Sequence, residues 1–438
     1  MTSEGDRAWR GWYDSERGEN CSFGSPGSDG VARCWPLQTL QARYYTDETC
    51  TTAVASASSL TCEGVAPKYI SHYEVEGCIG STRIHEIGAV VATPTQLYDR
   101  ALDGTCVADP QVPIEDTYYL LGPEVPPTDF VASEPLTDAG PSRVRAFGSS
   151  GIDGTRAVAG WLDADTMKMC GFLPAEDGSV RCFPQGFLYT AVYSSDAACT
   201  SPVLQRTVTE CTTGEPAAIA NAPVEPECPY AHSAFQRGAP LTTVYSGDAT
   251  ACMAAPPEAY TQQEFFERGP ALPAATFAAV DYVTVDSDPG RVKPVYGTTE
   301  DGGCWFDGWY DSELDARCSF DQAADGRHYC LPDSDEYLTV LETFSDASCT
   351  QPMAIAVYNA CGAVPLPAWV RIDSWTGCEA TYEVRKVNGT LAGSAAPPLW
   401  IEAGDSCVSY TPNAESNYLT LSEIYEPSAF LPAELSAE

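Results

Sequence analysis

One phrase written three times constrains this chain more than anything else in it. Gly11-Trp12-Tyr13-Asp14-Ser15-Glu16 is followed by Cys21-Ser22-Phe23, Asp29-Gly30 and Cys34-Trp35-Pro36. The same order returns at Gly160-Trp161-Leu162-Asp163-Ala164-Asp165, with Cys170, Phe172, Asp177-Gly178 and Cys182-Phe183-Pro184. It returns again at Gly308-Trp309-Tyr310-Asp311-Ser312-Glu313, with Cys318, Phe320, Asp325-Gly326 and Cys330-Leu331-Pro332. Trp12 to Trp161 is 149 residues, and Trp161 to Trp309 is 148. A period of this length is the signature of a repeat architecture. The repeats run over residues 1–140, 141–288 and 289–438.

The cysteines keep the same register. Repeat one carries Cys21, Cys34, Cys50, Cys62, Cys78 and Cys106; repeat two carries Cys170, Cys182, Cys199, Cys211, Cys228 and Cys252. Repeat three carries Cys318, Cys330, Cys349, Cys361, Cys378 and Cys407, and Cys304 is left over. There is no C-x-x-C pair, so zinc-ribbon and haem-attachment readings fail. The cysteines therefore read as a disulfide framework, which places the protein in an oxidising compartment. The simplest of fifteen pairings per repeat joins Cys21 to Cys34, Cys50 to Cys62 and Cys78 to Cys106. Cys304, followed by Trp305 and Phe306, is expected to be a buried free thiol.

Short runs of Val, Thr, Tyr and Phe are punctuated by Gly, Pro and Asp, and no segment sustains a 3.6-residue apolar period between caps. The fold class is all-β. Each repeat closes on a related phrase ending in an aromatic: Pro127 to Phe130, Pro273 to Phe277, Pro427 to Phe430. Short polar joins favour a closed β-propeller in which each repeat supplies two or three blades, over three tandem β domains.

With 61 acidic against 23 basic side chains and a net charge of -38, the chain repels phosphate backbones and anionic membranes. Nucleic acid is excluded as a partner, and no apolar run is long enough to span a bilayer. The same charge keeps an exported protein soluble and monomeric.

Two sets of residues carry candidate chemistry. The repeated acids Asp14 and Glu16, Asp163 and Asp165, Asp311 and Glu313 stand at i, i+2, where strand alternation puts both carboxylates on one face. They are the candidate metal ligands, with calcium as the ion, although no EF-hand loop is present. The same acids fit a turn in which Asp caps backbone N–H groups. The second set breaks the threefold symmetry: His72, Glu74 and Glu76, with His85 and Glu86, occur in repeat one alone. Alternation puts His72, Glu74 and Glu76 on one face, expected to be solvated. His232 and His328 have no nucleophile near them in sequence, and G-x-S-x-G does not occur. Trp369, Trp375 and Trp400 would suit a carbohydrate or peptide groove, or equally the packing between sheets.

The Gly-Trp-Tyr-Asp-Ser-Glu phrase, the Asp-Gly-x-x-Arg-Cys-x-Pro motif (29–36, 177–184) and Asp-x-x-Cys-Thr resemble an uncharacterised group of Cys-rich repeat lipoproteins of myxobacteria and related predatory bacteria. The resemblance implies an exported, surface-anchored protein and brings no catalytic residues; no lipobox is present in this sequence. The expected function is a non-enzymatic binding or adhesion module at the outer cell surface, without a cofactor other than calcium, recognising a protein or carbohydrate. The alternatives are a propeller-type hydrolase or lyase with a central cation, and a structural coat or filament component.

Overall fold

The computed structural model describes residues 11–57, 67–76, 78–101, 104–110, 116–137, 140–185, 188–208, 219–225, 228–247, 250–255, 260, 262–285, 290–334, 338–356, 367–376, 379–393, 396–403, 406–413 and 416–434. Among them the regular structure is strand, with short 3-10 turns and no α-helix. Repeat one holds β1 (Trp12–Asp14), β2 (Glu19–Pro26), β3 (Ala32–Pro36), β4 (Thr39–Tyr45), β5 (Ala53–Ala57), β6 (Tyr69–Glu76), β7 (Ile79–Val91), β8 (Leu97–Arg100), β9 (Cys106–Asp109), β10 (Thr117–Glu124) and β11 (Ala132–Thr137). Repeats two and three follow the same plan.

The local chemistry explains the hairpins. The Asp-Gly pairs sit at their tips, and Gly30, Gly178 and Gly326 take φ of 77°, 78° and 80°, a region closed to most side chains. The Asp accepts the N–H two residues on: Asp29 from Val31 at 3.1 Å, Asp177 from Ser179 at 3.0 Å, Asp325 from Arg327 at 3.0 Å. On the strands behind the turns, Trp12 meets Phe23, Trp161 meets Phe172 and Trp309 meets Phe320, with centroids 6.1, 5.7 and 5.8 Å apart.

These hairpins join into one 14-stranded antiparallel sheet that runs through all three repeats. β11 uses Ala132 and Ser133 to pair with β3, and Ser133 to Thr137 to pair with Val144–Gly151 of repeat two. Thr284 pairs in the same way with Val295 across the second boundary. Trp305 of repeat three lies against Trp161 (4.6 Å) and Phe172 (4.9 Å) of repeat two. The shared sheet ties the repeats together, and it is not divided into the four-stranded blades of a closed propeller.

Between its third strand and its closing strand, each repeat inserts a separate seven-stranded sheet. In repeat one this sheet curls into a small barrel in the order β4-β5-β10-β7-β6, closed by parallel pairing of β6 with β4. Tight curvature requires the long strands to cross closely. A Cβ on Gly88 would lie 2.5 Å from the Leu120 carbonyl oxygen, and one on Gly122 2.7 Å from that of Glu86. The β8–β9 hairpin attaches to β4.

The chain returns to the shared sheet through a 3-10 turn: Pro127–Asp129, Ala274–Thr276 or Pro427–Ala429. The aromatic that ends it is buried: Phe130 on Trp35 at 5.2 Å, Phe277 on Phe183 at 5.1 Å, Phe430 beside Leu331.

Six disulfides join described cysteines. Cys21–Cys34, Cys170–Cys182 and Cys318–Cys330 bridge neighbouring strands of the shared sheet. Cys50–Cys106, Cys199–Cys252 and Cys349–Cys407 tie the turn after β4 or its counterpart to the hairpin that follows the barrel strands. The sequence-simplest pairing of Cys50 with Cys62 and Cys78 with Cys106 is thereby corrected. Proximity in sequence misled because β9 folds back over the β4–β5 turn. Cys78 is also disulfide-bonded. Cys62, Cys211, Cys361 and Cys378 lie outside the described residues, as does the side chain of Cys228. Cys304 is a free thiol but exposed rather than buried, because it begins its strand at the rim and the adjoining Trp305 takes the interior side.

Candidate functional site

The repeated acids come first. Asp163 and Asp311 are almost wholly buried, at 1% and 0% exposure, and Asp14 is 8% exposed. Each is placed by the hairpin it begins. Asp163 accepts the N–H of Asp165 at 2.9 Å; Asp311 accepts those of Glu313 at 3.0 Å and Leu314 at 3.3 Å. The rest of the Asp163 carboxylate faces Arg143, Nε at 3.0 Å and Nη2 at 2.7 Å, and Arg143 Nε also meets Asp165 at 3.0 Å. Arg291 grips Asp311 at 2.8 Å and Glu313 at 2.9 Å in the same way. Both arginines donate onward to the closing turn of their own repeat, Arg143 to the Thr276 carbonyl at 2.7 Å and Arg291 to that of Ala429 at 2.8 Å. The cation held by these paired acids is a guanidinium, and the arrangement latches the start of a repeat to its end.

Asp14 is different: among the described residues its carboxylate accepts only the N–H groups of Glu16 and Arg17, both at 3.0 Å. No group of three or more His, Cys, Asp or Glu among the described residues stands close enough to hold a metal ion.

The symmetry-breaking residues converge. A pocket of about 620 Å³ opens on the repeat-one barrel, and its lining takes residues from all five barrel strands and from β8. Tyr45 ends β4, His72 and Glu74 come from β6, Arg83 and His85 from β7, and Arg100 from β8. Thr51 and Thr52 of the disulfide-held turn complete the polar wall. The His72 and His85 rings are 6.3 Å apart, and Tyr45 stands 6.4 Å from His72.

Alternation on β6 had suggested a solvated face for His72 and Glu74. The structure reverses this for His72, whereas the Glu74 side chain stays 41% exposed. His72 is 8% exposed, while Tyr73 and Val75, on the opposite face, are each 58% exposed. β6 pairs on both sides, and its even-numbered residues turn into the barrel. The side chain of Glu76 lies outside the described residues; Glu86 is exposed.

Burial holds the His72 imidazole below its ordinary pKa, against the opposing pull of Glu74, whose carboxylate is 3.6 Å from Nδ1. Glu74 is 2.6 Å from Arg83 Nε, and Arg83 reaches Glu124 at 2.9 Å. His85 Nδ1 is 3.1 Å from the Gly122 carbonyl oxygen, which can only accept, so Nδ1 carries a proton and, in the neutral ring, Nε2 is an acceptor. That Nε2 is buried and has no hydrogen-bond partner among the described residues. Arg100 donates to the Cys50 carbonyl at 2.6 Å and lies over the Tyr45 ring at 5.2 Å. No described carboxylate is within ion-pair distance of it.

Strand register fixes the counterparts. His72 pairs with Arg83, as Ala222 does with Ser233 and Ile372 with Glu383. Tyr45 pairs with Tyr98, Ser194 with Tyr245, and Phe344 with Trp400, so Arg100 corresponds to Gly247 and Glu402. Repeat one alone puts two imidazoles and a guanidinium together. The sequence signal was the unique His72 and His85. Arg100 and Tyr45 carried none, since they join the site through the long-range pairing of β4 with β6 and of β8 with β4.

The tryptophans do not form a groove in the described residues. Trp369 is buried against Tyr425 at 4.9 Å, with Lys386 over it, and Trp400 is half-buried in the hairpin equivalent to β8–β9. The Trp375 side chain lies outside the described residues.

A family model described as "Family of unknown function (DUF7481)" matches residues 2–262 and, in a second overlapping match, residues 236–430. The chain belongs to this family. No curated protein and no solved structure matches it. The first DUF7481 match takes in repeat one and most of repeat two, so the family unit is larger than a single repeat, as the shared sheet requires. Among the described residues no helix is long and apolar enough to cross a membrane.

Proposed function

We propose that this chain is an exported, non-enzymatic binding or adhesion module displayed at the outer cell surface, with the repeat-one pocket as its point of recognition. The disulfide framework supports export to an oxidising compartment. Surface anchoring, by lipid or otherwise, is part of the same proposal.

One observation carries the reading. Three copies of one scaffold fold on the same plan, yet in repeat one the position of Ile372 is given to a buried histidine and that of Phe344 to Tyr45. Burying imidazole where an aliphatic side chain would serve costs stability, so these residues answer a need other than folding. The carboxylate beside the one described pocket hydroxyl with an acidic partner, Asp47 next to Thr51, is held well below the ordinary carboxylate range by the Thr49 hydroxyl and the Thr51 and Thr52 N–H groups, which leaves it a weak base. Cys50 is in a disulfide and Thr51 hydrogen-bonds Asp47, which favours recognition over covalent catalysis.

The test exchanges the pocket for its repeat-three counterpart. His72→Ile and Arg100→Glu, made together in the full chain, are compared with the native protein on immobilised neutral and acidic polysaccharides. Retention of the native protein and loss of the variant is expected. Equal retention, or none for either protein, overturns the reading.

A further inference from the structure

The composition of this pocket runs against that of the chain. Acidic side chains outnumber basic ones by 61 to 23 across the molecule, and two of only four histidines line this one cavity. Around it, Arg83 is balanced by Glu74 and Glu124, whereas Arg100 has a carbonyl and an aromatic face as its partners and, among the described residues, no carboxylate. A guanidinium in that state is an oxyanion receptor in waiting, since its planar donors match a carboxylate or sulfate. The cavity is also far larger than a bare ion and falls within the range that takes small organic ligands. Its remaining surface is the Tyr45 ring, the Thr51 and Thr52 hydroxyl residues, Ala53 and Leu120, a mixture of hydroxyl, aromatic and short apolar surface. His85 Nε2, buried and unpartnered among the described residues, lacks a donor such as a ligand hydroxyl provides.

We infer that the pocket binds an acidic saccharide, its carboxylate or sulfate group held by Arg100 and its hydroxyls meeting His85 and the threonine-lined turn. The inference rests on the reading of this pocket as a recognition site. Binding is coupled to protons through His72. The groups facing it are Tyr45 on β4, Glu74 on the same strand, Arg83 and His85 on β7, and Arg100 on β8; Asp99 of β8 acts on Tyr45, and Glu124 on β10 reaches it through Arg83. An anion placed among these cations and imidazoles favours protonated His72, so affinity rises as pH falls.

The experiment is calorimetric titration of the full chain with glucuronate, glucose 6-sulfate, methyl glucoside and inorganic sulfate at about pH 5 and about pH 7.5. One sugar acid per chain is expected, bound about fivefold or more tightly at the lower pH. Arg100→Gln should weaken it about tenfold or more, and His72→Gln, which keeps a polar side chain in the barrel, should flatten the pH dependence. Methyl glucoside should not compete. Inorganic sulfate binding as tightly as glucose 6-sulfate would reduce the site to a free-anion receptor and overturn the saccharide assignment. Binding of methyl glucoside that Arg100→Gln leaves intact overturns the anion inference while the recognition reading survives. If no probe binds and the His72→Ile, Arg100→Glu chain is retained on polysaccharides as well as the native one, both readings fall.

Discussion

Repeats one and three share an architecture and divide its uses. In repeat three, Arg291 is locked between Asp311, Glu313 and the Ala429 carbonyl, and Ile372 belongs to an apolar cluster with Ala354, Val370 and Leu419. In repeat one, Asp14 is met by backbone N–H groups, Arg17 lies over Phe130 at 4.5 Å, and the position of Ile372 belongs to His72. The contrast teaches that the shared sheet and the hairpin turns suffice for the fold. What varies between copies is free to serve something else.

The largest effect should come from cutting the latch. Asp311→Ala leaves Arg291 without its buried counter-ion and is expected to destabilise by about 3 kcal/mol or more. Asp14→Ala removes only turn-capping hydrogen bonds, worth about 1 kcal/mol. Thermal melts of the two single variants check this. Arg291→Met combined with Asp311→Leu should recover most of the loss, because no unpaired buried charge then remains and Glu313 is solvated. Equal losses at Asp14 and Asp311 would erase the difference between the repeats.

A smaller effect lies in the same hairpin. Its last turn residue is left-handed in every copy: Gly18 at φ 69°, Met167 at 52° and Asp315 at 52°. Only glycine takes this conformation freely, and Met167 is 68% exposed, with little packing to lose. Met167→Gly should therefore stabilise the chain by about 1 kcal/mol, and Gly18→Ala should cost about as much. A melting temperature that falls for Met167→Gly would show that the thioether is packed after all.

Much of this was legible in the sequence and some was not, for physical reasons. The strand content, the Asp-Gly turns and the closing aromatics were readable because each depends on residues within a few positions of one another. The Cys50–Cys106 cross-link was not, since it depends on where β9 lands 56 residues further along the chain. The acids at Asp163 and Asp311 were recognised as holding a cation or capping a turn, and they do the second while gripping an arginine twenty residues earlier in the chain. His72 and Glu74 were correctly placed on one face of β6. Which face met the interior depended on the parallel pairing with β4, and nothing local encodes that.

The finest test of the comparison is electrostatic. Burial lowers the His72 pKa in the folded chain below its unfolded value of about 6.5. Between those two values the unfolded chain carries a proton that the folded chain does not. Stability contributed by neutral His72 is therefore present above about pH 6.5 and is lost as pH falls below it, with a slope of at most about 1.4 kcal/mol per pH unit. His72→Ile installs the repeat-three residue and should remove this acid-side loss in urea titrations run from about pH 7.5 to about pH 5. Glucuronate should oppose the loss in the native chain at the lower pH, since a bound anion stabilises the protonated imidazole. Identical pH profiles for the native chain and His72→Ile would mean that the imidazole keeps its solution pKa. The distinction between the barrel of repeat one and the inserted sheet of repeat three would then be one of shape alone.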